Sequence, residues 1–582
     1  MRRLFVLLSC GLLPAVLHAQ TPEPRVVAIR AETAPRIDGS LDDAVWQQAI
    51  PVTDFRQRQP VDLGEPTERT ELRVAFDERA LYIGLKLFDR EPHLIRASIL
   101  DRGGRIDKDD NVRLALDTFF DRKNAYIFEM NPLGTQDDAI LTDEGQPNWN
   151  WNGVYRSEAQ ITGEGWTLEV MIPFTTIRFS AGEAPLMGIA VQRTINRKNE
   201  ELLFPGIRRD YRGGFFQVSQ YARLEGLQGI RRGRGVEIKP YALAGAQRIP
   251  AAADPNTFRQ DFGADARWTI TSNLALDLTV NTDFAQVEAD EAQINLTRFN
   301  LFFPEKREFF LERAGLFAFG NEGELETFFS RRIGLTNPIL GGARLTGQVG
   351  DVSLGLLNLQ TRKADSGLPG ANYAVARVQT ALGPRASVGG IVTNVEHRDS
   401  SLYNRALGLD GTVRFWGSSS VSGWFTNVWE PGTTEQNWAG AVRATLARDV
   451  YSFSTAYTNV GRNFDPGVGF VERRDFVRYE AQAGYRPLIG DGRGRIRRLI
   501  FDLGGATLVG QDGRLQTTGL RLGSTVQFRA RDRISASLGR AFERLDEPFR
   551  LRGGVVTVDP GRYQYGTFSL NGSTDESRRA FV

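Results

Sequence analysis

The residues best suited to binding chemistry lie in a polar loop that carries two indole rings. Residues 148–152 read Asn-Trp-Asn-Trp-Asn, so Trp149 and Trp151 alternate with amide side chains. Indole rings stack on the apolar faces of sugars, and amides can bind the sugar hydroxyl groups. We therefore predict that Trp149 and Trp151 bind a ligand. In the alternative interpretation both rings have structural roles. Trp151 would then close the edge of a β-sandwich domain, and Trp149 would contact the rim of a β-barrel formed by another part of the chain.

A group of aspartates offers a second kind of chemistry. Carboxylate oxygens are the hard ligands that Ca²⁺ prefers in proteins. The candidates are Asp107, Asp109, Asp110, Asp117, Asp137 and Asp138. Their spacing differs from that of an EF-hand loop, so solvated carboxylates beside strands are the alternative. Calcium is the one cofactor that the sequence leaves open, and no other metal or cofactor is predicted.

Residue types for catalysis are scarce. The chain has three histidines and one cysteine, and His93 and His397 are far apart in the sequence. They suggest neither a catalytic triad nor a two-histidine metal site. A glycosidase needs two carboxylates roughly 5–9 Å apart across a sugar cleft, and nothing in the sequence indicates such a pair. No catalytic residue is predicted; a non-enzymatic role is favoured, with a glycoside hydrolase as the alternative.

The composition limits the class of protein that must position these residues. A chain of 582 residues exceeds one hydrophobic core, so two or more domains are expected. The 72 basic and 70 acidic residues nearly balance, which gives no indication of nucleic-acid binding. Beyond residue 20 no apolar run approaches the roughly 20 residues of a membrane helix. The 61 glycines and 36 phenylalanines instead favour turns, twisted strands and aromatic belts.

The N-terminus has the features of an export signal. Arg2 and Arg3 precede an apolar stretch that ends at the small residue Ala19. This order of charge, apolar segment and small residue predicts a signal peptide over residues 1–19. A lipoprotein signal at Cys10 is the alternative, although the apolar stretch before that residue would be very short.

Short β-favouring runs between residues 25 and 228 predict an antiparallel β-sandwich. Gly, Pro, Asn and Asp clusters separate these runs, as is typical of sandwich turns. The runs are 72–76, 81–88, 112–117, 126–130, 167–172 and 188–194. A basic, Gly-rich stretch at 229–235 then predicts a linker to a second domain.

Long two-residue alternations follow from residue 236 to residue 582. Leu276 and Leu278, for example, alternate with Asp277 and Thr279. Segments of about ten residues with this pattern, joined by turns, are typical of transmembrane β-barrels. We therefore predict an all-β chain with a C-terminal transmembrane β-barrel of about sixteen strands.

Two parts of the barrel region depart from the alternation. Residues 285–335 are rich in aromatic and charged side chains, which predicts a plug or a long loop. Charges such as Glu305 and Arg307 would be costly facing lipid, so they belong in the lumen or in water. They could set the polarity of a pore or form an internal salt-bridge network. Residues 578–582 resemble the start of a strand, so we expect a truncated chain or an unusual closure.

Six motifs in the first region resemble the carbohydrate-binding module of family 9. They are Arg-Ile-Asp-Gly-Ser-Leu-Asp-Asp-Ala-Val-Trp at 36–46, Val-Ala-Phe-Asp at 74–77, Leu-Tyr-Ile-Gly at 81–84, the Asp-rich strand at 109–117, Phe-Glu-Met-Asn-Pro-Leu-Gly at 128–134 and Gly-Trp-Thr-Leu-Glu-Val-Met-Ile-Pro-Phe at 165–174. The resemblance implies a sugar site held by a tryptophan pair, an arginine and a glutamine. Gln192 matches the glutamine, whereas Asp107 and Glu129 fall near a tryptophan and the arginine position. Gln192 is therefore a further predicted ligand-binding residue.

The second region resembles a bacterial outer-membrane family in which such a module precedes a barrel domain of unknown function. Its motifs include Asp-Phe-Ala-Gln-Val-Glu-Ala-Asp at 283–290, Phe-Phe-Pro-Glu-Lys-Arg-Glu-Phe-Phe-Leu-Glu at 302–312, Phe-Ser-Arg-Arg-Ile-Gly at 329–334 and Gly-Gly-Ala-Arg-Leu-Thr-Gly at 341–347. This resemblance implies an outer-membrane location, with the lipid bilayer and an oligo- or polysaccharide as partners. The module would lie in the periplasm or at the barrel mouth. Glycan binding or uptake is the favoured function, and a hydrolase or a structural or assembly protein is the alternative.

Overall fold

The computed structural model describes residues 23–574 with short gaps. The gaps are 143, 150, 181, 231–235, 249–255, 272–273, 282–292, 296, 312, 351, 364–366, 384, 399–400, 491–493 and 552–555. Four predicted features therefore lie wholly or partly outside the described residues. They are the signal peptide at 1–19, most of the linker at 229–235, the start of the plug or loop at 285–335 and the chain end at 578–582.

Thirteen short strands make up the described part of the first region. They are β1 (Arg25–Val27), β2 (Ile29–Arg30), β3 (Arg56–Gln59), β4 (Thr70–Phe76), β5 (Ala80–Phe88), β6 (Asn111–Asp117), β7 (Ala125–Met130), β8 (Gln136–Leu141), β9 (Arg156–Thr162), β10 (Gly165–Pro173), β11 (Met187–Ile195), β12 (Glu200–Phe204) and β13 (Ala222–Glu225). One α-helix, α1 (Ala44–Gln48), and single 3-10 turns lie between them. These turns are Pro92–Leu94, Ile106–Lys108, Asn196–Lys198, Gly214–Phe216 and Val218–Gln220.

The thirteen strands form a two-layer sandwich. One sheet has the order β1-β13-β11-β6-β7-β8, with β12 and β3 branching from β11, and the other has the order β2-β4-β5-β10-β9. Apolar side chains from both sheets share one core, in which Leu72 and Leu114 are fully buried. Trp46 and Trp166 are buried as well. The sandwich expected from the short β-favouring runs is confirmed.

The second region contains one large antiparallel sheet. Its strands are β14 (Val236–Arg248), β15 (Asn256–Thr269), β16 (Leu274–Val280), β19 (Ile339–Val349), β20 (Val352–Thr361), β21 (Ala371–Ala381), β22 (Ala386–His397), β23 (Tyr403–Phe415), β24 (Ser419–Trp429), β25 (Trp438–Ala447), β26 (Tyr451–Val460), β28 (Phe476–Tyr485), β29 (Ile496–Gly510), β30 (Leu515–Phe528), β31 (Arg533–Leu545) and β34 (Gly561–Ser573). Each strand pairs with the next in this order, so the described residues give sixteen strands, as predicted. Small additional sheets are formed by β17 (Gly320–Asn321), β18 (Leu325–Glu326) and β27 (Phe470–Val471), and by β32 (Phe549–Leu551) and β33 (Val556–Val558).

The large sheet buries its polar side and exposes its apolar side. In β16, Asp277 and Thr279 are 4% and 1% exposed, whereas Leu278 and Val280 are 42% and 60% exposed. Successive side chains of a strand point to opposite faces, so the alternation in sequence becomes a separation of faces. Other strands also expose their apolar side chains, for example Leu409, Leu520 and Phe568. A water-soluble sheet would place these faces the other way round.

Mostly short turns join the strands at one end of the sheet, and mostly longer loops join them at the other. The turn end comprises the connections β15–β16, β19–β20, β21–β22, β23–β24, β25–β26, β28–β29 and β30–β31. The loop end comprises the connections β14–β15, β16–β19, β20–β21, β22–β23, β24–β25, β26–β28, β29–β30 and β31–β34. The sandwich lies at the turn end, where the Ser418 amide donates to the Asp210 carbonyl at 3.2 Å.

The described residues between 293 and 337, here called the insert, leave the sheet at the loop end and reach the sandwich, where Arg313 lies over the Phe119 ring at 4.8 Å. The insert contains α2 (Glu308–Leu311) and the 3-10 turns Ala314–Phe317 and Ser330–Arg332. Lys239 of β14 forms an ion pair with Glu308, and Arg298 lies 3.3 Å from Glu543 of β31. β14 is the first strand of the large sheet and β31 is the last but one, so strands near both edges of the sheet contact the insert. The sheet therefore curves around the insert.

Candidate functional site

The two predicted tryptophans differ in their surroundings. The Trp151 ring lies 5.2 Å from Tyr126 and 6.1 Å from Phe128 between ring centroids, and it packs against the sandwich core. Trp149 is 37% exposed. The loop is held to β8 because Asn148 and Ile140 exchange backbone hydrogen bonds of 2.8 and 3.2 Å. The environment of Trp151 is thus that of the sandwich edge, and the ligand-binding role of both residues stays a prediction.

Gln192 lies on the other face of the same sheet. It pairs with Arg113 of β6, which pairs with Glu129 of β7, so these three side chains share a face. Phe128 precedes Glu129 and therefore points to the opposite face, where Trp151 packs. Gln192 is nearly buried, and its Nε2 donates to Thr194 Oγ1 at 3.4 Å. The structure does not bring Gln192 and Trp151 together.

The three side chains on this face, Gln192, Arg113 and Glu129, are polar and largely buried. Arg113 Nη2 lies 3.1 Å from Glu129 Oε1, and the Arg113 guanidinium lies over the Phe216 ring at 6.0 Å. Burial raises the pKa of Glu129, and the nearby Arg113 only partly offsets this effect. The segment that carries Phe216 covers this face.

The predicted calcium ligands have protein partners. Asp109 accepts hydrogen bonds from the amides of Ser98 and Ile99 at 2.7 and 2.8 Å. Asp138 pairs with Arg102 at 2.7 Å, and Asp110 accepts from the Asn196 amide at 2.7 Å. Within the described ranges no group of three or more His, Cys, Asp or Glu side chains is arranged to hold a metal ion. The structure does not gather these six aspartates into one site.

A cavity of about 1110 Å³ lies where the sandwich, the insert and the buried side of the large sheet meet. The sandwich contributes the β6–β7 loop and residues 145–148, including Asn148 of the predicted binding loop. The insert contributes Phe319 and Asn321 among others, and the sheet contributes Trp424 and Arg377. This cavity is the candidate functional site.

Aromatic and polar groups are fixed in the cavity wall. The Trp424 indole N–H donates to Asn321 Oδ1 at 3.1 Å, and the Trp424 ring meets Phe319 edge-on at 6.2 Å. Arg377 donates two hydrogen bonds of 2.7 Å to Asp410. A partly buried indole among groups that donate and accept hydrogen bonds is suited to polyhydroxylated ligands.

Trp424 and its neighbours were not among the residues predicted from the sequence. One local signal existed: Trp424 stands at the polar positions of its strand, between Ser422 and Thr426. An aromatic residue on a polar face breaks the alternation without an obvious packing reason. The residues around Trp424 in the sequence did not indicate its partners, because Asn321 lies in the insert, far from Trp424 in the chain.

None of the helices in the described residues is long and apolar enough to span a membrane.

Two family models match the chain. Residues 37–202 match the carbohydrate family 9 binding domain-like model, and residues 236–344 match a domain of unknown function, DUF5916. The chain thus carries a family 9-like domain followed by DUF5916, as the two sequence resemblances implied. No curated protein matches the chain significantly.

Solved structures of two kinds are similar to parts of the chain. A family 9 module from Caldicellulosiruptor kristjanssonii in complex with glucose is 14% identical, with 34% of this chain and 94% of that chain covered at a TM-score of 0.26. OpdL of Pseudomonas aeruginosa is 10% identical, with 80% and 97% covered at a TM-score of 0.26. OccAB2 of Acinetobacter baumannii is 10% identical, with 80% and 98% covered at a TM-score of 0.27. At such TM-scores these similarities carry no argument about function.

Proposed function

We propose that this protein is an outer-membrane β-barrel protein that binds a saccharide or takes part in its uptake. The observation that carries the proposal is the cavity of about 1110 Å³ that the family 9-like sandwich shares with the insert and the large sheet. A sugar-binding type of domain therefore borders the interior of a sheet whose outer side is apolar.

The arrangement of faces supports a membrane location. Exposed side chains such as Leu278, Leu409 and Phe568 would be unfavourable in water, at about 25 cal/mol for each Å² of apolar surface. A lipid bilayer removes this cost, and strands satisfy their backbone hydrogen bonds within a membrane when the sheet closes. Curvature of the sheet around the insert supports closure into a barrel.

The lengths of the connections support a periplasmic position for the sandwich. Outer-membrane barrels have short turns on the periplasmic side and longer loops on the outer side. The sandwich contacts the turn end, at residues 416–418 and 529–532 among others. In this orientation the insert enters the lumen from outside and reaches the periplasmic domain.

The saccharide assignment is supported by the cavity wall. Trp424 offers an indole face, and Asn321, Arg377 and Asp410 offer hydrogen-bonding groups beside it. The volume of about 1110 Å³ slightly exceeds the roughly 300–1,000 Å³ of small-molecule pockets, so it can accommodate an oligosaccharide. The family 9-like match supports the same ligand class.

Two measurements on the full-length protein in detergent test the proposal. Unboiled protein should migrate faster on gels than boiled protein, and calorimetry should detect binding within a panel of neutral oligosaccharides. Trp424→Ala should weaken that binding roughly tenfold or more, because it removes the stacking surface. Trp429→Ala is the matched control, since Trp429 lies on the exposed face of the same strand. Identical gel migration, or no binding across the panel, would contradict the proposal.

A further inference from the structure

Six arginines from the sandwich and from two connections of the large sheet lie near one another at the turn end. Two belong to the sandwich segment after β12, one follows β28, two open β29 and one lies between β30 and β31. They are Arg209, Arg212, Arg486, Arg497, Arg498 and Arg531, here called the arginine cluster. Segments distant in sequence thus bring like charges to one place.

Carboxylates compensate only part of this charge. Arg209 pairs with Asp449 at 3.1 Å and with Asp62 at 4.0 Å, and Arg486 donates to Asp502 at 3.2 Å. Glu201 attracts Arg497. Other members bind neutral groups: Arg212 donates to the Arg448 carbonyl at 3.0 Å, and Arg497 donates to the Gln59 Oε1 at 2.8 Å.

Arg531 donates to Asn199 Oδ1 at 3.0 Å. The side chain of Arg498 has no hydrogen-bond or ion-pair partner among the residues that the structure describes, whereas its backbone pairs within the sheet. It is repelled by Arg209, Arg497 and Arg486 and attracted by Asp449. Three arginines therefore act on its half-buried guanidinium against one carboxylate, that of Asp449.

Three buried N–H donors of the arginine cluster lack a hydrogen-bond acceptor among the described residues. The Nε–H groups of Arg209, Arg486 and Arg498 are buried and make no hydrogen bond within the described structure. Leaving a buried donor unpaired is unfavourable, and more so when the group is charged. Burial, together with repulsion from Arg486, lowers the pKa of Arg212, which is consistent with local excess of positive charge.

We propose that the arginine cluster is a binding site for a phosphoryl group. A planar guanidinium group can donate two parallel hydrogen bonds to the oxygens of a phosphoryl group. One such anion can therefore accept hydrogen bonds from several arginines on different segments. Such a group can belong to a free phosphate ester or to a phospholipid headgroup. The cluster lies where the sandwich meets the turns, away from the cavity, so this inference stands independently of saccharide binding.

The test uses the full-length protein in detergent and two phosphoryl probes. One probe is inorganic pyrophosphate, and the other is dihexanoyl phosphatidic acid added to the micelles. Thermal unfolding is followed against sodium chloride of equal ionic strength and against dihexanoylglycerol, which has the same acyl chains and no phosphoryl group. We expect a saturable rise in melting temperature with at least one phosphoryl probe. The probe that acts at the lower concentration identifies the free or the lipid-borne source.

Substitutions assign the effect to the cluster. Arg498→Gln should weaken binding of the active probe at least tenfold, and without probe the variant should be as stable as the wild type or more stable, because repulsion falls. Arg498→Lys keeps the charge but loses the fork, so it should bind with intermediate affinity. Arg385→Gln is the matched control, an exposed arginine in another turn at the same end. The proposal is overturned if neither probe exceeds its salt or lipid control, or if Arg498→Gln responds like the wild type.

Discussion

At the scale of single residues, packing determines what Trp151 can contribute. Contact with Tyr126 and Phe128 places its ring in an aromatic cluster at the edge of the core. Removing such a ring leaves a cavity as well as losing buried apolar area. The more exposed Trp149 has no ring contact among the described aromatic pairs. The two tryptophans should therefore differ sharply when they are truncated.

We predict that Trp151→Ala lowers the free energy of unfolding of the sandwich by about 3 kcal/mol. Trp149→Ala should change it by no more than about 0.5 kcal/mol, as for other exposed positions. Urea denaturation of the full-length protein, followed by the fluorescence of the remaining tryptophans, measures both. Equal losses for the two variants would contradict the assigned packing.

A second residue-scale prediction concerns Glu129. Burial raises its pKa above the ordinary value of 4.5, so the folded protein holds this proton more tightly than the unfolded chain. The sandwich should therefore lose stability as the pH rises from that value through the folded-state pKa. Glu129→Gln does not ionise, so its stability relative to the wild type should increase over the same interval. Urea denaturation at several pH values between 4 and 8 checks this, and a constant difference would refute it.

At the scale of elements, glycines in the large sheet seat the insert. A Cβ atom at Gly408 would lie 2.6 Å from Phe319, and one at Gly355 would lie 2.9 Å from Phe317. The aromatic rings of the insert thus pack directly on strand backbone. Arg478 of β28 adds a two-pronged interaction with Glu324, at 2.6 and 3.2 Å. The insert is therefore held by the close packing of its aromatic rings on the strands and by the ion pair between Glu324 and Arg478.

We predict that Gly408→Val displaces Phe319 and loosens the insert. Overpacking of this kind usually costs about 1–3 kcal/mol. In planar lipid bilayers the variant should conduct ions more than the wild type, because the insert fills the space inside the sheet. Gly411→Val is the control, since a Cβ there has only an ordinary contact of 3.4 Å. Equal conductance of Gly408→Val and wild type would show that the insert does not limit passage.

At the scale of the whole molecule, the sandwich docks on the turns of the large sheet through backbone contacts. Gly417 has a φ of +70°, and a Cβ atom there would lie 2.7 Å from the Asp210 carbonyl oxygen. Arg209 and Arg448 add ion pairs with Asp449 and Asp210, at 3.1 and 3.4 Å. Backbone approach this close leaves no room for a side chain, so the interface depends on glycine at this turn.

We predict that Gly417→Val separates the sandwich from the sheet. Calorimetry should then show the sandwich unfolding at a lower temperature than in the wild type, because it loses the contacts of the interface. Gly432→Val is the matched control: its φ is +84° and no atom lies within 4 Å of its Cβ position, so it introduces similar backbone strain without a clash. Identical unfolding profiles for both variants would contradict this role of the interface.

The sequence by itself determined the strand architecture. A period of two residues is a local property, so Leu276 and Leu278 alternating with Asp277 and Thr279 predicted strand and face together. The number of strands and the sandwich followed from the same local patterns and from the turn residues between them. The two resemblances were equally readable, because they depend on motifs contiguous in the chain.

Only the tertiary structure decided which side chains meet. Trp151 and Gln192 lie on opposite faces of one sheet because of strand register, which no local pattern reveals. Trp424 contacts Asn321, and Arg498 comes near enough to Arg209 to be repelled by it, although the segments are distant in sequence. Such contacts depend on how the chain closes its long loops, and each side chain's own neighbourhood in sequence carries no information about the partner across the fold.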